Sequence, residues 1–166
     1  MTNAHPSSQS AWQTLAEFNL SSQLGADRLA RDDVAAAVRP LNLSPADLER
    51  LKTAVAEAVL NAIEHGNRYR SDLPVSIRFR VSYMAVAVQI TDQGNVPIRD
   101  PETPDLSAKV SEQGPPQGWG FFLIERMVDD IQIISNGIHH SIELFLYLES
   151  MYTTKTRGFQ LYHKQI

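Results

Sequence analysis

The strongest constraint on the fold is an alternation of apolar and polar residues in two neighbouring segments. In residues 75–82 every second residue is Val, Ile or Phe, and Ser or Arg stands between. After a short turn, Val and Ile alternate with Ala and Gln through residues 86–90. This period of two is typical of strands with one buried face. The sequence therefore predicts an α/β fold: a two-layer sandwich with a mixed, mainly antiparallel sheet covered on one face by helices.

Helices that can cover this sheet are predicted before and after it in the chain. A first helix covers about residues 26–38 and ends before Pro40, because proline cannot donate to the helical ladder. A second begins at Ser44, a good N-cap with proline at the first helical position, and ends near Gly66. The other predicted elements are an edge strand in residues 12–20, a helix after Gly120, and a final hairpin from residues 131–134 and 141–148.

Length and composition set the domain organisation. The 166 residues suffice for one domain, which we expect at residues 12–149, with a flexible arm at 1–11 and a C-terminal tail at 150–166. The net charge of −4 argues against a nucleic-acid partner, and the absence of Cys excludes disulfides and thiolate catalysis. No apolar run approaches the about 20 residues that span a bilayer, and the N-terminus lacks a signal-peptide pattern. We therefore expect a cytoplasmic protein.

One edge of the second helix carries a candidate site. Glu57, Asn61 and His65 are each four residues apart, so their side chains fall within an arc of about 80°. A carboxylate can accept a proton, and an amide oxygen is a suitable ligand for Mg²⁺. Taken alone, the pattern also fits a solvated helix face that ends in a histidine.

Two further features follow along the chain. Asp92 ends a strand and can accept from an exocyclic amine, while Gly94 lets a planar base approach the backbone; the pair also fits a tight turn. Gly118 and Gly120 precede a helix, whose N-terminal N–H groups can bind phosphate, although glycine also marks flexible loops. The proline-rich stretch of residues 93–118 is long for a loop, and such loops are usually functional.

These three features, in this order along the chain, resemble the motifs of the superfamily that includes gyrase, heat-shock chaperones and sensor histidine kinases. Within it, the chain is most similar to the bacterial anti-sigma-factor serine kinases. Residues 51–66, LKTAVAEAVLNAIEHG, resemble that family's N box, and residues 90–94, ITDQG, resemble its adenine-binding box. Residues 118–130, GWGFFLIERMVDD, resemble its phosphate box and the helix after it. The resemblance covers about residues 12–149 and implies a Bergerat-type ATP-binding fold.

The resemblance implies roles for the candidate residues. Glu57 would be the catalytic base acting on a serine hydroxyl, and Asn61 would ligate Mg²⁺ beside the phosphates of ATP. His65 would support the nucleotide or the lid, and Asp92 would bind the adenine amine. The glycines that would admit the base and the phosphates are Gly94, Gly118 and Gly120.

The sequence departs from the family in two places. The implied ATP lid, about residues 95–117, has Lys109 as its only basic group after residue 100, whereas family lids usually supply positive charge to the γ-phosphate. Where the family often has a Gly-Thr-like pair before the last strand, this chain reads IHHS. Ser141 is therefore the candidate hydroxyl donor.

The function implied by the resemblance is an ATP-binding anti-sigma regulatory factor. It would sequester a sigma factor and phosphorylate a serine on an anti-anti-sigma protein of the STAS type, in a partner-switching pathway that uses Mg²⁺ and ATP. Arg31 matches a family arginine that grips the partner protein. A homodimer is also expected, and neither a nucleic acid nor a membrane is an expected partner.

Two other functions stay open at this point. A non-catalytic module that binds ATP or only sequesters a partner is favoured by the sparse lid charge and by the pair His139-His140. A metal-dependent hydrolase could use the same pair with His65, although the sequence contains no metal-ligand motif such as His-Glu-x-x-His.

Overall fold

The computed structural model describes residues 12–94, 119–135 and 139–148, together with the backbone of residues 162–165. Within these residues the elements, in chain order, are β1 (Gln13–Leu20), α1 (Ala26–Val38), α2 (Pro45–Asn61), β2 (Val75–Val81), β3 (Ala85–Asp92), α3 (Trp119–Met127), β4 (Asp130–Ser135), β5 (His140–Tyr147) and β6 (Tyr162–Gln165). A short 3₁₀ turn, Arg39–Leu41, follows α1, and a π-helical turn, Ala62–Gly66, follows α2. None of the described helices has the length and apolar character to cross a membrane.

The strands form one sheet in the order β1-β2-β3-β5-β4-β6. The first five pair antiparallel, and β6 pairs with β4 in parallel. The prediction of a mixed, mainly antiparallel sheet in an α/β fold is thus confirmed. The predicted edge strand and final hairpin are also present, as β1 and as β4 with β5.

The alternation in the sequence decides which face of the sheet is buried. Ile77 and Phe79 of β2 are fully buried, whereas Arg78 between them is exposed. The register places Phe79 beside Val88 of β3, and Val88 beside Leu144 of β5, so one apolar row crosses three strands. Burial of this row against the helices removes apolar surface from water, which is the main stabilising term of the fold.

Helix α2 lies on this apolar face. Its first turn is capped by Ser44, whose Oγ accepts from the Asp47 N–H at 3.1 Å, and Leu51 and Val55 are fully buried. The helix continues past Asn61 into the π-helical turn, because the N–H of Asn67 donates to the carbonyl of Ala62, five residues back, at 2.8 Å. The predicted end near Gly66 is confirmed, but the last turn is wider than an α-helical one. Single π turns are rare and are frequently found at functional sites.

An ion-pair network fixes α2 relative to the turn between α3 and β4. The guanidinium of Arg50 bonds Asp47 of its own helix at 2.8 Å and Asp129 at 3.1 Å. Asp129 also accepts from the Tyr147 N–H at 2.8 Å, which joins the same point to β5. The position of α3 against α2 is therefore fixed by contacts of Asp129 with both α2 and β5.

Replacement of Phe79 tests the assigned face of the sheet. Phe79 stacks on Phe18 with ring centroids 5.9 Å apart, so Phe79→Ala should lower the free energy of unfolding by about 3–5 kcal/mol. The matched control is Arg78→Ala on the other face, where loss of the exposed pair with Glu17 should change the free energy of unfolding far less. Urea unfolding followed by circular dichroism measures both, and equal losses would contradict the register.

Candidate functional site

The start of α3 packs on the edge of α2 that carries Glu57 and Asn61. A methyl group added to Gly120 would come within 3.1 Å of the Glu57 Oε2 and 3.2 Å of the Asn61 Oδ1. Any side chain at position 120 would therefore press on both polar groups. The structure brings these three residues together, as the spacing in the sequence predicted for the two on α2.

Glu57 is a half-buried carboxyl whose pKa is raised above its ordinary value. Burial is the larger cause, and the negative charge of Asp27 in the first turn of α1 is the second. A carboxyl with a raised pKa is a better proton acceptor when it is ionised. The sequence analysis missed Asp27, since an acidic residue in the first helical turn is already explained by the helix dipole.

A second polar cluster lies where the π-helical turn meets the end of β3. Asp92 is 5% exposed, and its Oδ1 accepts from the Gly94 N–H at 3.0 Å. A Cβ added to Gly66 would stand 2.5 Å from the Asp92 Cγ, and one added to Gly94 would stand 1.9 Å from the Gly66 carbonyl oxygen. These distances are far below van der Waals contact, so both positions require glycine.

Asp92 combines burial with unused hydrogen-bonding capacity. Burial raises its pKa most, and the Gly94 N–H and the two neighbouring histidines, His140 and His139, lower it in part. A carboxylate has room for about four hydrogen bonds, so a ligand with an amine donor would stabilise its charged form. Asp92 is thus suited to bind a group such as the exocyclic amine of a nucleobase.

Asn67 holds this cluster in place with both ends of its side-chain amide. Its Nδ2 donates to the Ser22 Oγ at 2.8 Å and to the carbonyls of Leu73 at 2.9 Å and Pro74 at 3.2 Å. Its Oδ1 accepts from the Gln93 N–H at 2.8 Å, and the residue is 1% exposed. Asn67 is not among the residues predicted for the site, because its four partners come from three separate segments of the chain.

Two predicted site residues do not join these clusters. The side chain of His65 is 62% exposed and its Nε2 lies 4.0 Å from the Glu64 Oε2, because the wider π-helical turn rotates it away from the α-helical edge. Ser141 shares a hydrogen bond of 2.6 Å with Thr91 on the sheet face opposite Asp92. Side chains alternate along a strand, so His140 and not Ser141 faces the helices.

The remaining predicted residues are on the surface or outside the described part of the chain. Arg31 is 37% exposed on α1 and bonds Glu49 of α2 at 3.3 Å. Gly118 and Lys109 lie outside the described residues, as do the lid, the N-terminal arm and residues 149–161 of the tail. The role expected of His65 toward the lid therefore stays a prediction.

A metal would have to be held by few protein groups. In the described residues no group of three or more His, Cys, Asp and Glu side chains could hold an ion, which leaves the three-histidine hydrolase without a cluster. Mg²⁺ in nucleotide sites commonly takes one or two protein oxygens and completes its shell with phosphates and water. The Asn61 Oδ1, close to the bare backbone of Gly120, fits such a single ligand.

Comparisons with known proteins agree with this geometry. The family model described as histidine kinase-like ATPase domain matches residues 20–143. The chain is 33% identical over 95 residues to serine-protein kinase RsbW of Bacillus velezensis, covering 55% of this chain and 59% of that protein. It is 30% identical over 125 residues to an anti-sigma F factor of Bacillus thuringiensis, covering 75% and 86%. The match to the kinase thus spans less than two thirds of its length.

A solved structure shares the fold. The crystal structure of the RsbU and RsbW domains of a Mycobacterium tuberculosis protein aligns with a TM-score of 0.57 and 17% identity. The alignment covers 79% of this chain and 31% of that one. At this identity the likeness concerns the fold alone, and it supports the Bergerat-type architecture.

Removal of the Asn67 amide should loosen the segment that carries Asp92. Asn67→Leu has similar volume but leaves the Gln93 N–H without its acceptor, and a buried unpaired group costs about 1–3 kcal/mol. We expect a lower free energy of unfolding and faster hydrogen exchange at the Gln93 amide.

The matched control is Ser22→Ala, which removes one partner of Asn67 and leaves the Gln93 contact intact. Exchange at Gln93 should then stay slow. Unchanged exchange in Asn67→Leu would contradict the positioning role of the amide.

Proposed function

We propose, given that this chain belongs to the histidine kinase-like ATPase domain family, that it is an ATP-binding anti-sigma factor with serine kinase activity. It sequesters a sigma factor and phosphorylates a serine on an anti-anti-sigma protein of the STAS type. The proposal is supported by similarity to proteins named serine-protein kinase and anti-sigma F factor. The observation that carries it is the contact of the bare Gly120 backbone with Glu57 and Asn61.

The polar cluster at the end of β3 binds the adenine base. The adenine amine donates to the carboxylate of Asp92, whose Oδ1 is already oriented by the Gly94 N–H. Because Gly66 and Gly94 have no side chains, the backbone can pack closely around this carboxylate. Asn67 holds the intervening Gln93, so the acceptor is positioned before the base arrives.

The phosphates extend from this cluster toward the edge of α2 and the start of α3. Asn61 would hold Mg²⁺ through its Oδ1, and the ion would supply charge that neutralises the phosphate oxygens. Gly120 adds no side chain at the first turn of α3, where backbone N–H groups favour anions. Asn61 and Gly66 are joined by the π-helical turn on one continuous helical segment, so the two subsites are held at a fixed separation.

Glu57 acts as the general base. Its carboxylate accepts the proton of the substrate serine hydroxyl as the serine oxygen bonds to the γ-phosphorus. The bond from that phosphorus to the β,γ-bridging oxygen breaks, and ADP leaves. The raised pKa of Glu57 suits the role, provided that the pH keeps the carboxyl ionised.

Three substitutions separate nucleotide binding from catalysis. Glu57→Gln should bind ATP nearly as well as wild type but lower phosphate transfer by about 10²-fold or more, because only the proton acceptor is lost. Asn61→Ala and Asp92→Asn should weaken ATP binding itself. Calorimetry measures binding, and transfer of label from γ-labelled ATP to a serine of a matched STAS-type partner measures catalysis.

The matched control is Glu64→Gln, the same change at an exposed position of the same helical segment. It should leave binding and transfer unchanged. Binding of ATP without transfer to any partner would refute the kinase and leave a sequestering module. Failure of the folded wild type to bind ATP would refute the proposal as a whole.

The pH dependence of transfer tests the electrostatics around Glu57. Transfer should fall as the pH drops through the raised pKa of Glu57, because the protonated carboxyl cannot accept a proton. Asp27→Asn removes the like charge and lowers that pKa, so the acid limb of the rate profile should move to lower pH. Part of the elevation of the Glu57 pKa should persist in this variant, since burial is the larger cause.

Asp32→Asn, an exposed change on α1, is the control for this shift and should leave the profile in place. An acid limb that does not move in Asp27→Asn would show that another group sets it.

A further inference from the structure

His140 is a buried histidine at the start of β5, directly opposite Asp92. The register of β3 and β5 pairs the two residues, and both face the helices. Directly paired positions in an antiparallel ladder bring Cβ atoms to about 4.5–5.5 Å. His140 is 4% exposed and Asp92 is 5% exposed, so the pair is closed off from bulk water.

One nitrogen of this histidine has no partner. The His140 Nδ1 is fully buried and makes no hydrogen bond within the part of the chain that the structure describes. Buried polar atoms in folded proteins are nearly always paired, because an unpaired one forfeits its bonds to water. An orphan at this place is available to a partner that the described residues do not supply.

The neighbouring strand positions do not compete for that partner. Ser141 and Thr91 bond each other on the opposite sheet face. Asp92 is an acceptor, and its Oδ1 is already bonded to the Gly94 N–H. The two groups that face each other across β3 and β5 therefore offer one acceptor and one ring nitrogen to a single ligand.

We propose that the His140 Nδ1–H donates to the adenine ring nitrogen that neighbours the exocyclic amine bound by Asp92. This inference rests on the proposed ATP binding and names the group that completes its base subsite. The adenine amine is flanked by N1 and N7, and both are acceptors, so a carboxylate next to an N–H donor matches either edge.

The same pair explains how guanine would be rejected. Guanine carries a carbonyl oxygen where adenine has its amine, and this oxygen would face the Asp92 carboxylate. On the N1 edge, guanine also carries a proton on N1, which would oppose the His140 N–H. On the N7 edge both bases offer an acceptor, and Asp92 supplies the discrimination. A site built from an acceptor and a donor discriminates strongly against ligands that leave its buried groups unpaired. His140 is thus a specificity-determining residue for the nucleotide.

The electrostatics of Asp92 agree with this placement. Burial raises its pKa, and the Gly94 N–H and the neighbouring His140 and His139 oppose that effect in part.

The test compares ATP with 1-deaza-ATP and 7-deaza-ATP, in which one ring nitrogen is replaced by carbon. Calorimetry on the full chain should show that wild type binds one of the two analogues about tenfold more weakly than ATP. The analogue that loses affinity identifies the edge. His140→Leu should bind ATP about tenfold more weakly and no longer distinguish that analogue from ATP.

His140→Asn is the conservative variant, because its Nδ2 stands close to the position of the imidazole Nδ1. It should retain discrimination. Equal loss in the Asn and Leu variants would mean that the ring only shapes the subsite, and would overturn the proposal.

The wild-type comparison needs no substitution, so the proposal can fail even if a variant misfolds. Equal binding of ATP and both analogues by wild type overturns the role of His140 and leaves ATP binding intact. Discrimination that persists unchanged in a folded His140→Leu variant overturns it as well. Absence of binding for all three nucleotides refutes the proposed function, and the inference fails with it.

Discussion

The close approach of the π-helical turn to the end of β3 is the contact on which the site depends. The carbonyl of Gly66 occupies the place where a Cβ of Gly94 would stand, and the carboxylate of Asp92 occupies the place of a Cβ of Gly66. The backbones can approach this far only because both positions lack side chains. The approach fixes the end of α2 on the sheet, and through the helix it fixes the edge that carries Glu57 and Asn61.

One helical segment therefore holds both halves of the candidate site. Its α-helical part presents polar groups to the first turn of α3, and its π-helical end contacts the strand that carries Asp92. The ion pairs of Arg50 hold the opposite end of the helix against the α3–β4 turn. Because the segment is anchored at both ends and buried along one face, its polar edge is preorganised, and little ordering is left for the ligand to bring about.

Much of this could be predicted from the sequence, and the failures have physical causes. The alternation in β2 and β3 predicted the buried face, and Ser44 marked the start of α2. These signals are local, with periods of 2 and 3.6 residues. The direction of His65 could not be predicted, since it depends on one irregular turn. Ser141 was chosen for its hydroxyl, but strand register decides which side chain faces Asp92, and register is set by a distant partner.

The amide of Asn67 also limits which sequences can encode this fold. One of its ends must donate and the other must accept, and both ends are buried. Aspartate would keep the acceptor and lose the donors, and a longer amide would not fit the same three segments. No other residue type meets both demands at this reach. Three of its four partners are backbone groups, so this one side chain fixes the relative course of the turn before α1, the loop before β2 and the end of β3.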